Sequence, residues 1–263
     1  MRAYALLLAF SLTVAAQAAE ARPMRVASLN LCTDELLLAL ADEDQIASVT
    51  HLSKQSSETP YWQKARRHRT NDGSLLSIAA LKPDLVLTMG GGVRDRASIA
   101  GHLQIPVLDL PYPQSLDDIE ASITKVASAL GQPVRGQQAI RLLRQLQRTA
   151  PPRPVDTIWL GGGGRTVPAT GLAAEWMRLA GLQQRTVRGD RVSLEQLLLS
   201  PPRVLLRSDY RQAEYSGEQR WMSHPLARRT RAGKTLSTDG RRWTCMGPSL
   251  VPEVLRLRRE LGT

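Results

Sequence analysis

The chain is predicted to be an α/β protein with two α/β blocks flanking a helical middle. Three observations carry this prediction. Short apolar, β-branched runs alternate with helix-periodic ones, which implies mostly parallel sheets. The alternation occurs twice, over residues 24–113 and 154–263. Residues 114–153 between them hold only amphipathic helical spacing, interrupted once by Gly131-Gln132-Pro133.

In the first block, 24–29 (MRVASL) reads as a buried strand and 33–41 (TDELLLALA) as a helix. Thr33 is the expected cap, with Asp34 and Glu35 in the first turn, where the helix dipole favours acids. Strands are expected at 45–50, 84–89 and 105–110, with helices at 74–81 and 93–103. In the middle, 115–130 places Leu116, Ile119, Ile123 and Val126 on one face, and 134–149 resumes as a second amphipathic helix. The second block repeats the grammar: strands at 155–160, 203–208 and 234–237, helices at 171–181, 193–199 (capped by Ser193) and 248–261. In each block a strand runs into glycines and a helix precedes a strand, which suggests pseudo-duplication.

The first residues speak to compartment. Met1-Arg2, an apolar run over 4–16 and Ala16-Gln17-Ala18 form a secretory signal-peptide pattern, with cleavage after Ala18 or Ala21 both fitting. The apolar run is shorter than a membrane span. A soluble, exported, periplasmic chain is therefore expected, and its roughly 240 residues suffice for one large domain or two modest lobes. The formal net charge of +11 is uneven: 9 Lys/Arg against 10 Asp/Glu in 24–113, but 18 against 10 in 154–263. Export argues against nucleic acid as the partner of the basic half. An anionic ligand, an acidic partner, a membrane surface or plain solubility remain as readings.

Open α/β sheets expose their ligand sites at the carboxyl ends of the strands. Two such sheets joined by a rigid helix can turn those ends toward each other across a cleft. The loops at 30–33, 51–62, 68–73, 89–94, 161–170, 208–222 and 239–247 would border it. That is the layout of a binding protein. No GxSxG, HExxH, P-loop or paired-carboxylate arrangement argues for an enzyme.

Four segments, taken in order and spacing, carry a resemblance: RVASLNLCTDELLLALA (25–41), LSIAALKPDLVLTMGGG (76–92), IPVLDLPYPQSLDDIEASITKVASALGQP (105–133) and VSLEQLLLSPPRVLL (192–206). Together they resemble the periplasmic substrate-binding proteins of the iron-chelate and vitamin B12 class of ABC importers. The resemblance implies two Rossmann-like lobes joined by a long backbone helix, here 134–149. It implies a metal-chelate cargo (iron-siderophore, haem or cobalamin), no cofactor of the protein's own, a monomer, and an inner-membrane ABC permease as partner. In that family each lobe presents a glutamate to the permease. Glu195 stands at the expected place in the second lobe. In the first lobe the place falls on Leu76 or Ser77, neither of which can pair with arginine, and Asp72 is the nearby substitute. That departure motivates an alternative reading, a periplasmic sensor or interaction protein on the same fold.

Within that layout Cys32 and Cys245 border the cleft from opposite lobes. A disulfide suits the compartment and the even count; ligation of a soft metal or of a chelate's iron, and two buried thiols, are the other readings. His51, His68, His102 and His224 lack metal-ligand spacing, although His51 and His68 lie in cleft loops where they could meet. No bare-metal site is expected. Arg165, Arg241 and Arg242 offer bidentate contacts to carboxylates, and Trp62, Trp221 and Trp243 offer faces for a flat conjugated ring. With Cys32, His51 and Cys245 these are the candidate ligand-binding residues.

Overall fold

The computed structural model describes residues 22–90, 104–210, 224–225 and 232–262. Its first five strands are β1 (Val26–Ser28), β2 (Ile46–Thr50), β3 (Arg69–Asn71), β4 (Leu85–Met89) and β5 (Val107–Leu110). They form one sheet in the order β3-β2-β1-β4-β5, parallel at every pairing. The second sheet holds β6 (Val155–Leu160), β7 (Leu182–Gln184), β8 (Val204–Ser208) and β9 (Lys234–Thr238) in the order β7-β6-β8-β9, also parallel throughout. Strands covered on both faces need continuous apolar runs, and all five residues of β4 are buried.

The helices are α1 (Leu31–Leu40), α2 (Trp62–Ala65), α3 (Leu75–Ala79), α4 (Leu116–Ala129), α5 (Pro133–Arg148), α6 (Leu172–Leu179), α7 (Leu194–Leu199), α8 (Arg242–Cys245) and α9 (Leu250–Leu261). α4 and α5 connect the lobes. Ser115 closes a capping box with Asp118 at the start of α4, and Pro133 opens α5 at a position that needs no amide donor. Gly136 lets the two helices approach: a Cβ there would stand 2.5 Å from the Ala127 Cβ. The connection is tied to the second lobe by Arg258 of α9, which is buried. Its guanidinium donates to the carbonyls of Leu146 and Leu179 and to Thr149 Oγ1, capping the ends of α5 and α6. One contiguous apolar core passes from Leu37 and Leu87 through Ile123 and Leu143 to Trp176, Leu206 and Leu257. The lobes are thus packed on a shared interior.

The expected backbone helix at 134–149 is realised as α5, shifted by one residue. The expected Thr33 cap is corrected. Asn30 caps α1 instead, its side chain accepting the Cys32 amide at 2.8 Å. Thr33 is already inside the helix and its hydroxyl donates to the Asn30 carbonyl. The helix therefore starts two residues early, which turns Asp34 and Glu35 into the protein. The short elements β3, β7, α2 and α8 were not expected, because three or four residues carry no legible period. The helix expected at 93–103 lies outside the described residues, as does His102.

Candidate functional site: the seam between the lobes

The carboxyl ends of both sheets meet along one seam. From the first lobe come the start of α1, after β1, and the loop that follows β2. From the second come the residues after β8, the turn after β9, α8, and the loop into α9. Cys32 and Cys245 are joined by a disulfide with a Cα–Cα distance of 5.2 Å, linking positions 213 residues apart. Of the three readings of this pair the structure selects the disulfide. The ligation reading is corrected, since the bond consumes both thiolates that a metal would need. Beside it lies a pocket of about 20 Å³ lined by Cys32, Glu35, Met89, Ile119, Ser122 and Cys245, room for about one water. A ligand cavity for a drug-sized molecule takes about 300 Å³ or more, so a chelate must sit farther out along the seam.

One turn into α1, Asp34 and Glu35 are 0 % and 2 % exposed. Their partners are mostly hydroxyls rather than cations. Asp34 accepts from the Thr50 amide and from Thr50 Oγ1 and Ser53 Oγ, the last two at 2.5 Å. Glu35 accepts from Thr59 Oγ1 at 2.8 Å in its own lobe and from Ser249 Oγ at 3.2 Å across the seam. Burial pushes the Asp34 carboxyl up to about 6 and the Glu35 carboxyl up to about 7, against the opposing pull of these donors. Burial beside Glu35 also raises the Tyr61 phenol to about 12.

The second lobe holds its acids with arginines. Asp239 accepts from Arg241 at 2.8 and 2.9 Å and from Arg242 at 3.0 Å. Glu253 accepts from Arg256, from Thr238 Oγ1 and from the Asp239 amide. Burial alone would raise both carboxyls, but the arginines outweigh it and hold them below their ordinary range. Two more bonds cross the seam: Tyr210 OH donates to Glu58 Oε2 at 2.9 Å, and Arg241 Nη1 donates to the Ser56 carbonyl at 2.8 Å.

The expected site residues divide accordingly. Arg241 reaches the loop after β2, donating to the Ser56 carbonyl. Arg242 points inward, to Asp239 and the Ser249 carbonyl. Trp243 is a core residue, 6 % exposed, its indole N–H donating to Thr238 Oγ1 and its ring 6.2 Å from that of Trp159. It offers no face to a ligand, because α8 turns it under the sheet end. His51 is exposed at the carboxyl end of β2, while Trp62 is half-buried with the Arg66 guanidinium 5.8 Å from its ring. Arg165 is exposed and ion-paired with Asp190 at 3.7 Å. Trp221 lies outside the described residues. His51 and His68 do not meet. His51 follows β2 whereas His68 precedes the parallel β3, so they sit at opposite sheet edges, His68 beside Arg25 and Arg69. Among the described residues no three His, Cys, Asp or Glu side chains gather as a metal-binding group.

Glu35, Ser249, Glu58 and Tyr210 were missed as seam residues. Glu58 and Tyr210 lie in loops expected to border the cleft, an acid pair just before the apolar run LLLAL hinted at Glu35, and nothing marked Ser249. Away from the seam, Glu195 and Asp72 are exposed, each at the start of a Ser-capped helix. Glu195 is lowered by its own amide and by Ser193, and Asp72 by the hydroxyl and amide of Ser74.

The model of the periplasmic binding protein family matches residues 26–236. The chain belongs to that family. Solved structures share its fold at low identity. The periplasmic haem-binding protein BhuT, in complex with two haems, superposes with a TM-score of 0.67 at 21% identity, covering 90% of this chain and 97% of that one. The vitamin B12-binding protein BtuF of Vibrio cholerae gives 0.62 at 20%, covering 92% and 97%. The siderophore-binding protein BauB, bound to acinetobactin and ferric iron, gives 0.67 at 15%, covering 91% and 93%. Among curated proteins no sequence match was found. This family member has no helix among its described residues long and apolar enough to cross a membrane.

Proposed function

We propose that this periplasmic binding protein captures a metal-chelate (an iron-siderophore, haem or cobalamin) at the seam and delivers it to an inner-membrane ABC permease. The observation that carries the reading is the meeting of both sheets' carboxyl ends along one seam, where open α/β folds bind ligands. The fold neighbours bind haem, vitamin B12 and a ferric siderophore, and the basic second lobe suits an anionic chelate. His51, Trp62, Arg165, Trp221 and Arg241 are the contacts we assign to the cargo, with the Cys32–Cys245 disulfide as the inner wall. The protein works as an exported monomer after removal of residues 1–18, binds without turning over its cargo, and needs no cofactor. Glu195 and Asp72 are the permease contacts.

One observation favours a sensor that does not feed an importer. Counting from the capping serines, Leu76 of α3 occupies the position of Glu195 in α7, and it is 75 % exposed. Uptake assays separate the readings. A carrier loses uptake with Glu195→Ala and keeps or gains it with Leu76→Glu; a sensor supports no uptake in either form.

Binding itself is tested by thermal shift with haem, cobalamin, ferric siderophores and simple metal salts. A true ligand at a hundredfold excess over its Kd adds about 2.7 kcal/mol. A shift with one chelate class supports the proposal and names the cargo; none with any of them overturns it.

A further inference from the structure

The interlobe contacts form a row with two unlike ends. At one end the disulfide abuts the connecting helix α4, since its pocket is lined by Ile119 and Ser122. Next comes Glu35, bonded to Ser249 across the seam and to Thr59 within its lobe. Thr59 adjoins Glu58, which accepts from Tyr210, and Ser56 beyond it accepts from Arg241. The inner end is thus covalent, with Glu35 and Cys245 buried and Cys32 half-buried. Among the described residues the outer end is bridged by the Tyr210–Glu58 and Arg241–Ser56 hydrogen bonds between loops; Glu58 is buried, while Arg241 and Tyr210 keep partial access to solvent. A load that parts the lobes breaks hydrogen bonds long before a disulfide.

We infer that the Cys32–Cys245 bond is the pivot of the seam and that the Glu58–Tyr210 and Ser56–Arg241 bonds are its latch. Opening is then confined to the outer end, by rotation about the disulfide. The lobes do not separate along their whole contact. The inference deepens the proposed function, because a cargo entering between the lobes from the outer end must break the latch bonds of Tyr210 and Arg241. It does not need the cargo to be known.

Amide hydrogen exchange on the full exported chain, without any ligand, tests it. In the oxidised protein, Tyr210→Phe with Arg241→Ala should speed exchange in 56–61 by about tenfold, while 31–38 and 244–250 keep their wild-type rates. Removing the pivot with Cys32→Ala and Cys245→Ala should speed 31–38 and 244–250 as well. The amides of β4 and β6 serve as the gauge of overall folding. Two results overturn the inference: equal acceleration of inner and outer peptides in the latch variant, or unchanged inner peptides after loss of the disulfide. If the pivot variant fails to fold, the latch variant alone still decides between rotation about a fixed point and separation of the lobes. A chain that behaves as inferred yet binds no chelate keeps the pivot and loses the proposed function.

Discussion

The two sides of the seam solve one problem by opposite chemistry. Each carries acids withdrawn from solvent at the carboxyl edge of its sheet: Asp34, Glu35 and Glu253 are buried and Asp239 half-buried. In the first lobe Asp34 and Glu35 are satisfied chiefly by hydroxyls and an amide, and their carboxyls rise. In the second, Asp239 and Glu253 are satisfied by Arg241, Arg242 and Arg256, and theirs fall. Burial is common to both. The partner decides the sign, because a hydroxyl compensates only part of the lost hydration of a charge, whereas a guanidinium adds an opposite charge.

The largest expected effect comes from uncoupling the two sides. A crosslink closing 213 residues removes chain entropy from the unfolded state, so Cys32→Ala with Cys245→Ala should cost about 5 kcal/mol in denaturant unfolding. A loss near zero would mean that the remaining seam contacts suffice.

The first-lobe acids set a distinctive pH dependence. A carboxyl raised by folding binds its proton more tightly in the folded than in the unfolded state. Stability from Glu35 is therefore full below its ordinary range near 4.5, falls as pH rises toward about 7, and is level above that. Asp34 acts the same way up to about 6. Glu35→Gln should flatten that fall. It should match wild type at pH 4.5 and exceed it at pH 8 by at most about 3 kcal/mol. A variant that is less stable at pH 8 would show that the anion is needed there.

The second-lobe acids should behave in the opposite way. Their stabilisation is present above the ordinary carboxylate range and is lost as pH falls below it. Arg256→Ala should cost about 2 kcal/mol at pH 7, with the partly exposed guanidinium limiting the figure, and the difference should vanish in acid unfolding below the carboxylate range. A penalty that persists there would trace to packing. The smallest stability effect is expected at Glu195→Ala, within about 0.5 kcal/mol, because Glu195 is exposed and is not the capping residue. A larger change would assign Glu195 to the fold and weaken its proposed docking role.

Much of the architecture was legible along the chain. The burial of β4 reads directly from LVLTM, the α4 and α5 faces from their apolar period, and the turn between those helices from Gly131 and Pro133. The site was legible only as a set of loops. Arg241 and the cysteine pair stand at the seam, but Trp243, between them in sequence, is a core residue. Asp34 and Glu35 looked like ordinary helix-start acids, but the cap stands three residues earlier, at Asn30, and both acids are buried.

By itself the sequence determined the two parallel α/β lobes, the helical connection and the class of layout, because those follow from local periodicity and caps within ten or twenty residues. Only the tertiary structure decided that Cys32 meets Cys245, that Glu35 meets Ser249, and that Tyr210 meets Glu58. These partners are more than 150 residues apart. No local pattern encodes such a pairing, which exists only once two independently patterned sheets are packed on a common core.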